Sequence, residues 1–208
     1  MQASDEQTLL NQICRNVCEE AGYRMAWVGY LENDTTRTVR PIACAGFEEG
    51  YLAKAGITWA DKESGRGPTG RAIREGVRAC IQDFATDPHA APWRQSALQR
   101  GYRSSTALPL KDENGTPFGA LCIYSAKPGT FTSEEMKLLD ELAGNLAFGI
   151  TTLRIRVEHK EAERQVLAGE QLFRALVENS PDFIARYDRE YRRIYVNPAI
   201  QRLSREAP

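Results

Sequence analysis

The sequence predicts an α+β domain: a central antiparallel β-sheet flanked by an N-terminal and a C-terminal helix, the second continuing as a long linker helix. Three observations predict it. Helical apolar periodicity marks residues 4–21 and 131–157. Between them lie short β-branched and aromatic runs separated by turn residues. Asp112-Glu113-Asn114-Gly115 sits between two of those runs as a hairpin signal, which makes neighbouring strands antiparallel.

In chain order, Ser4 and Gln7 form a capping box, and Leu9, Leu10, Ile13, Val17 and Ala21 line one side of a helix that stops near Gly22. Met25 to Leu31 and Thr38 to Ala45 form a hairpin through the Asn33-Asp34 turn. Glu48 to Ala55 is a short helical segment. Gly65 to Gly70 is a turn, and Pro68 opens a short helix that ends at Gly76. Arg78 to Gln82 is a brief strand, Asp83 to Pro92 is irregular, and Trp93 to Arg100 is helical up to Gly101. Ser104 to Lys111 and Pro117 to Ser125 are the strands of the hairpin.

The last helix is the best marked. Thr132 is its N-cap, Glu135 completes a capping box, and Phe131 and Met136 are spaced as a hydrophobic staple. Glu134 and Glu135 suit the positive end of the helix dipole. Met136, Leu139, Leu142, Leu146, Ile150, Leu153 and Val157 make one stripe. Glu158 to Gln165 is polar, with no breaker before Gly169. Such a helix begins packed on a body and ends solvated. It is either a conduit for a signal or a core helix with a polar tail.

Composition narrows the classes. The chain has 208 residues, a net charge of −1, 42% hydrophobic and 26% charged residues. That balance gives no pull toward nucleic acid or an anionic membrane. No stretch approaches the roughly 18 apolar residues of a membrane span, and no signal-peptide pattern opens the chain, so a cytoplasmic location is expected. Five cysteines, Cys14, Cys18, Cys44, Cys80 and Cys122, are scattered as buried thiols of a reducing compartment would be.

Ser105-Thr106-Ala107-Leu108-Pro109-Leu110, Gly115, Phe118-Gly119-Ala120-Leu121 and Phe131-Thr132-Ser133-Glu134-Glu135, with Leu138, Leu139, Leu142 and Ala143, resemble the C-terminal half of a GAF domain. Gly67, Gly70, Ala72, Gly76 and Asp83 resemble the middle of the same pattern. The likeness covers about residues 5–155 and implies a GAF-like, PAS-related fold. Phe173, Glu178-Asn179-Ser180-Pro181-Asp182, Ile184 to Asp188 and Arg193 to Ala199 resemble the opening of a PAS domain. There Phe183 to Tyr187 and Arg193 to Val196 are two short strands, and Asn197-Pro198 opens a helix. The expected organisation is 1–155 GAF sensory domain, 156–171 helical linker and 172–208 an incomplete PAS start, the whole a fragment of a longer bacterial signalling protein.

The GAF resemblance places a ligand cleft over one sheet face, lined by Phe47, Trp59, Asp83, Phe84, Asp87, His89, Trp93, Arg94, Tyr102 and Ser105. Aromatic walls with a few polar groups suit a small molecule. The competing reading is that Trp59, Trp93 and Tyr102 cap an open sheet face. Family ligands are argued down in turn. The loop has no cysteine for covalent bilin, the cyclic-nucleotide pattern is absent, and His89 alone would have to ligate haem. The cofactor stays unknown.

No catalytic residue is assigned: neither histidine, His89 or His159, accompanies a nucleophile motif. His159 precedes Lys160, unlike a kinase phosphoacceptor. Cys14 and Cys18 lack a second ligand pair for a metal. Arg66, Arg71, Arg74 and Arg78 form a solvated basic edge rather than a phosphate loop. The reading that follows is a sensory input module with an unidentified small ligand, acting as a homodimer through the 132–167 helix with Leu146, Ile150, Leu153 and Val157 as its seam. The alternatives are a free methionine sulfoxide reductase-like enzyme using Cys80, and a ligand-free dimerisation spacer.

Overall fold

The computed structural model describes residues 2–200, with residues 2–5 described by backbone alone. The chain divides into two units, Met1–Arg154 and Ile155–Pro208.

The first unit is built on a five-stranded antiparallel sheet. Its strands are β1 (Met25–Leu31), β2 (Val39–Gly46), β3 (Ala79–Ile81), β4 (Ser104–Lys111) and β5 (Pro117–Ser125), in the order β2-β1-β5-β4-β3. The β4–β5 hairpin forms where the sequence places it. Asp112 Oδ1 accepts from the Asn114 and Thr116 N–H groups at 2.9 and 2.8 Å, and Gly115 takes φ +78°.

Strand alternation gives the sheet two apolar faces. Ala26, Val28, Leu108, Leu110, Leu121 and Ile123 face one way, against helices α1 (Gln2–Glu19) and α5 (Ser133–Asn179). Met25, Trp27, Ala107, Cys122 and Tyr124 face the other way, under α2 (Tyr51–Ala55), α3 (Pro68–Glu75) and α4 (Arg94–Gln99). In α3, Pro68 is at N1 and Gly76 ends the helix at φ +66°, its N–H donating to the Ala72 carbonyl.

Several helix details depart from the sequence expectation. Helix α1 already runs from Gln2, so Ser4 lies inside it rather than at its cap. Thr132 does cap α5, its Oγ1 accepting from the Glu135 N–H at 3.3 Å, and Phe131 and Met136 are both buried as a staple. The box is only half formed, because the Glu135 carboxylate accepts a hydrogen bond from the Tyr23 hydroxyl. The Thr132 N–H goes instead to the Thr130 carbonyl at 2.9 Å. Helix α5 also runs through Gly169 to Asn179. One glycine costs a helix only about 1 kcal/mol relative to alanine.

Leu146 and Ile150, assigned above to a dimer seam, are buried in the chain's own core with Leu139, Ala143 and Ala147. Within this unit the exposed apolar residues of α5 are Leu138 and Phe148, 64% and 75% exposed.

In the second unit, β6 (Ala185–Tyr187) and β7 (Arg193–Val196) form a hairpin about a turn at Asp188, whose Oδ1 accepts from Glu190 and Arg192 N–H groups. Asn197 is fully buried. Its amide nitrogen donates to the Val177 and Asp182 carbonyls at 3.0 and 2.9 Å, and its Oδ1 accepts from the Ile184 N–H at 3.0 Å. Its side chain therefore ties the helix end to the hairpin instead of capping a following helix. Most of that expected helix falls outside the described residues.

Candidate functional site

The sheet face beneath α2, α3 and α4 encloses a small cavity. Ile81, Ser105 and Tyr124 form its floor, from three adjacent strands. Gly67, Pro68, Thr69 and Gly70, the first turn of α3, form one wall. Tyr51, Ile57 and Ser64 stand on another side, and Phe84 and Trp93 close it. About 30 Å³ of space remains inside, room for roughly one or two waters.

The lining contains no charged side chain. Apart from the Trp93 indole N–H, its polar side chains, Tyr51, Ser64, Thr69, Ser105 and Tyr124, all end in hydroxyls. The aromatic rings interlock: Tyr124 stacks on Phe84 at 6.2 Å between centroids and meets Tyr51 edge-on at 5.7 Å. Burial pushes the Tyr51 phenol up to about 12 and the Tyr124 phenol well above its usual range, so both remain neutral near pH 7.

Trp93 is one of the half-buried walls. Its Nε1 donates to the Ala55 carbonyl at 3.3 Å, and its ring lies on Gly67. A side-chain carbon at Gly67 would come within 2.6 Å of Trp93 Cη2.

Of the ten residues expected at a cleft, the fold brings Phe84, Trp93 and Ser105 together at this cavity. Tyr102 lies beneath it, fully buried, with its hydroxyl donating to the Phe47 carbonyl. Phe47 sits outside, under the Arg24 guanidinium at 4.3 Å. Trp59 belongs to a separate surface groove, where Arg37 stacks on its ring at 4.7 Å and its Nε1 donates to the Glu32 carbonyl.

The charged members of the set serve the 83–94 loop. Asp83 pairs with Arg103 at 3.1 Å, and those hydrogen bonds hold its carboxyl below the ordinary range. Asp87 accepts from the His89 N–H at 2.8 Å and caps the turn Pro88–Ala90. His89 is exposed, beside Asp87. Arg94 donates to the Phe84 and Asp87 carbonyls at 2.9 and 2.7 Å. The family pattern drew attention to the loop, and so missed Tyr51, Thr69, Ile81 and Tyr124. Strand alternation in β3 and β5 carried the signal for the last two.

The same alternation places the cysteines. Ile81 faces the cavity, so Cys80 points to the opposite side of β3, exposed, 3.7 Å from Gln82 Nε2. Cys122 lies on the cavity side, buried, with its sulfur 3.2 Å from Thr69 Oγ1. Burial pushes its thiol up to about 12, which leaves it protonated and a poor nucleophile at neutral pH.

Among the described residues no group of three or more His, Cys, Asp and Glu is placed to hold a metal ion. No helix among them is long and apolar enough to cross a membrane.

A family model described as GAF domain matches residues 3–151. No curated protein matches the chain. Among solved structures, a GAF domain region from Geobacter sulfurreducens PCA is 21% identical with a TM-score of 0.61, over 73% of this chain and 96% of that one. The type II free methionine-R-sulfoxide reductase of Thermoplasma acidophilum is 18% identical with a TM-score of 0.57, over 72% and 94%. The blue-light absorbing form of the Thermosynechococcus elongatus PixJ GAF domain is 14% identical with a TM-score of 0.55, over 78% and 94%. At these identities the likeness is one of fold. With the family model covering the sheet, the cavity and the first turns of α5, this chain belongs to the GAF domain family.

Proposed function

We propose that this chain is a sensory input module in which the cavity senses a small molecule and biases helix α5. One observation carries the reading: Ser105 and Thr106, adjacent on β4, face opposite ways. Ser105 lines the cavity, while Thr106 Oγ1 lies 3.5 Å from Met136 Sδ in the first turns of α5. The sheet between cavity and helix is one residue thick, so a shift of β4 that accommodates a ligand moves the surface on which α5 sits. Such a relay requires that ligand bind two helix arrangements unequally.

In this reading α5 passes the bias to a PAS domain begun by residues 172–208 and to an output domain of a bacterial, cytoplasmic signalling protein. The blue-light absorbing GAF domain among its structural relatives supports a sensory role. Two chains pair through the face of α5 that bears Leu138 and Phe148, since Leu146 and Ile150 are engaged within their own chain.

A sulfoxide reductase is the second reading, favoured by the fold of the Thermoplasma enzyme. The outward-facing Cys80 and the protonated Cys122 weigh against it. Native mass spectrometry of the purified chain tests the proposal. A dimer that retains a small non-covalent mass is expected; a bare monomer contradicts both the pairing and the ligand.

A further inference from the structure

The walls of the cavity restrict what it can take. The charged groups around it are engaged elsewhere: Asp83 with Arg103, Arg94 with two loop carbonyls, Arg74 with the Gly65 carbonyl at 3.1 Å, and Arg100, behind the Tyr51 ring, with Ser96 and the Glu49 carbonyl. A charged ligand would shed its hydration and find no counter-charge. A cation would also meet the positive end of α3. What the lining offers is aromatic surface and hydroxyls.

Trp93 is the bulkiest of the half-buried walls. The backbone of its loop is fastened by Arg94, by Asp87, which accepts from the His89 N–H, and by Asp83, which accepts from the Ala85 N–H. The indole makes one 3.3 Å hydrogen bond, packs at the margin of the apolar cluster under α2, α3 and α4, and lies over Gly67, which has no side chain to hold it. It is half-buried, at the solvent side of the cavity. Behind it the first turn of α3 has proline at N1 and no side-chain cap, which leaves first-turn N–H groups without a side-chain acceptor. With the indole in place the interior holds only about 30 Å³. Swinging the indole aside makes room for a ring-sized guest.

We infer that Trp93 is a lid, and that the ligand is an uncharged, planar molecule about the size of the indole it displaces, lying over Gly67 with a hydrogen-bond acceptor toward the first turn of α3. This rests on the reading of the cavity as the ligand site. It adds the class of ligand and the residue that admits it. The rings of Phe84 and Tyr124, stacked 10° from parallel, give a flat guest an ordered aromatic wall.

The test uses the chain labelled with 5-fluorotryptophan, whose fluorine spectrum reports Trp27, Trp59 and Trp93; Trp93→Phe identifies the Trp93 signal. Indole is the neutral probe and indole-3-acetate its charged counterpart. Indole is expected to move the Trp93 signal saturably and to bind at least tenfold more tightly than indole-3-acetate. Equal or tighter binding of the acetate overturns the ligand class and leaves the cavity reading intact. Indole binding that moves Trp27 but leaves the Trp93 signal in place overturns the lid. Failure of both probes in the wild type and in Trp93→Gly overturns this inference and the cavity reading together.

Discussion

The Gln82 side chain donates a 2.9 Å hydrogen bond from Nε2 to the carbonyl of Phe131, the residue just before the cap of α5. Gln82 follows Ile81, which lines the cavity. A second strand therefore repeats the arrangement at Ser105 and Thr106, with one residue toward the cavity and the next toward the helix start.

Gln82→Ala removes that tether. A net hydrogen bond is worth about 1 kcal/mol, so stability should fall by roughly that amount. Backbone amides of residues 132–137 should exchange faster. Urea denaturation and hydrogen exchange read the two effects, and unchanged exchange there would show that the bond does not hold the helix start.

Gly67 and Gly70 should respond differently to alanine. A Cβ at Gly70 would sit 2.1 Å from the Gly65 carbonyl oxygen and 2.6 Å from that of Thr58. Both obstacles are backbone, and Gly70→Ala should cost about 1–3 kcal/mol. At Gly67 the obstacle is the Trp93 ring, which can rotate away, so Gly67→Ala should cost less and expose an indole. A red shift of tryptophan emission in Gly67→Ala, without a matching loss of stability in thermal melts, is the expected result.

Glu6 gives a pH dependence. Burial pushes its carboxyl up, but hydrogen bonds from Arg154 at 2.9 and 3.0 Å and from Tyr30 at 2.6 Å, with the Arg154 charge, outweigh it and hold it below 4.5. A depressed carboxyl contributes stability that is present above its unfolded value and is lost as pH falls through the folded one. The loss should therefore begin near pH 4.5 and deepen below it. Glu6→Gln should flatten this acid limb in denaturation curves compared at pH 7 and pH 3.

Thiol reactivity separates the cysteines. Cys44 and Cys80 are exposed, whereas Cys14 and Cys122 are buried with their thiols pushed up to about 12 by burial. Maleimide should label Cys44 and Cys80 in the native chain, and Cys14 and Cys122 only after unfolding. Cys80→Ser should leave methionine sulfoxide consumption at background, and thiol-dependent turnover lost in that variant would reinstate the enzyme reading.

The local signals in the sequence sufficed for the frame. Asn114-Gly115, Pro68 with Gly76, and Thr132 with Glu135 each mark an element end through chemistry confined to a few residues, and the antiparallel hairpin and the two helix ends they mark are all present. The cavity was legible only in part, because its walls come from segments far apart in sequence. Tyr51 and Tyr124 meet edge-on though separated by more than a third of the chain. Trp59 and Trp93 look equivalent as sequence, but the Trp59 indole is drawn outward to the Glu32 carbonyl while that of Trp93 lies across Gly67. The α5 stripe carried no record of its partner, so Leu146 and Ile150 fitted a dimer seam as well as the core that holds them.

Coupling between the cavity and α5 is tested most directly by hydrogen exchange at residues 131–140 in Trp93→Gly, with and without saturating indole. Filling the cavity should change amide protection there by at least threefold, with smaller changes in β2 at the far edge of the sheet. A thermal shift that proves indole is bound, together with unaltered exchange at 131–140, would contradict the coupling.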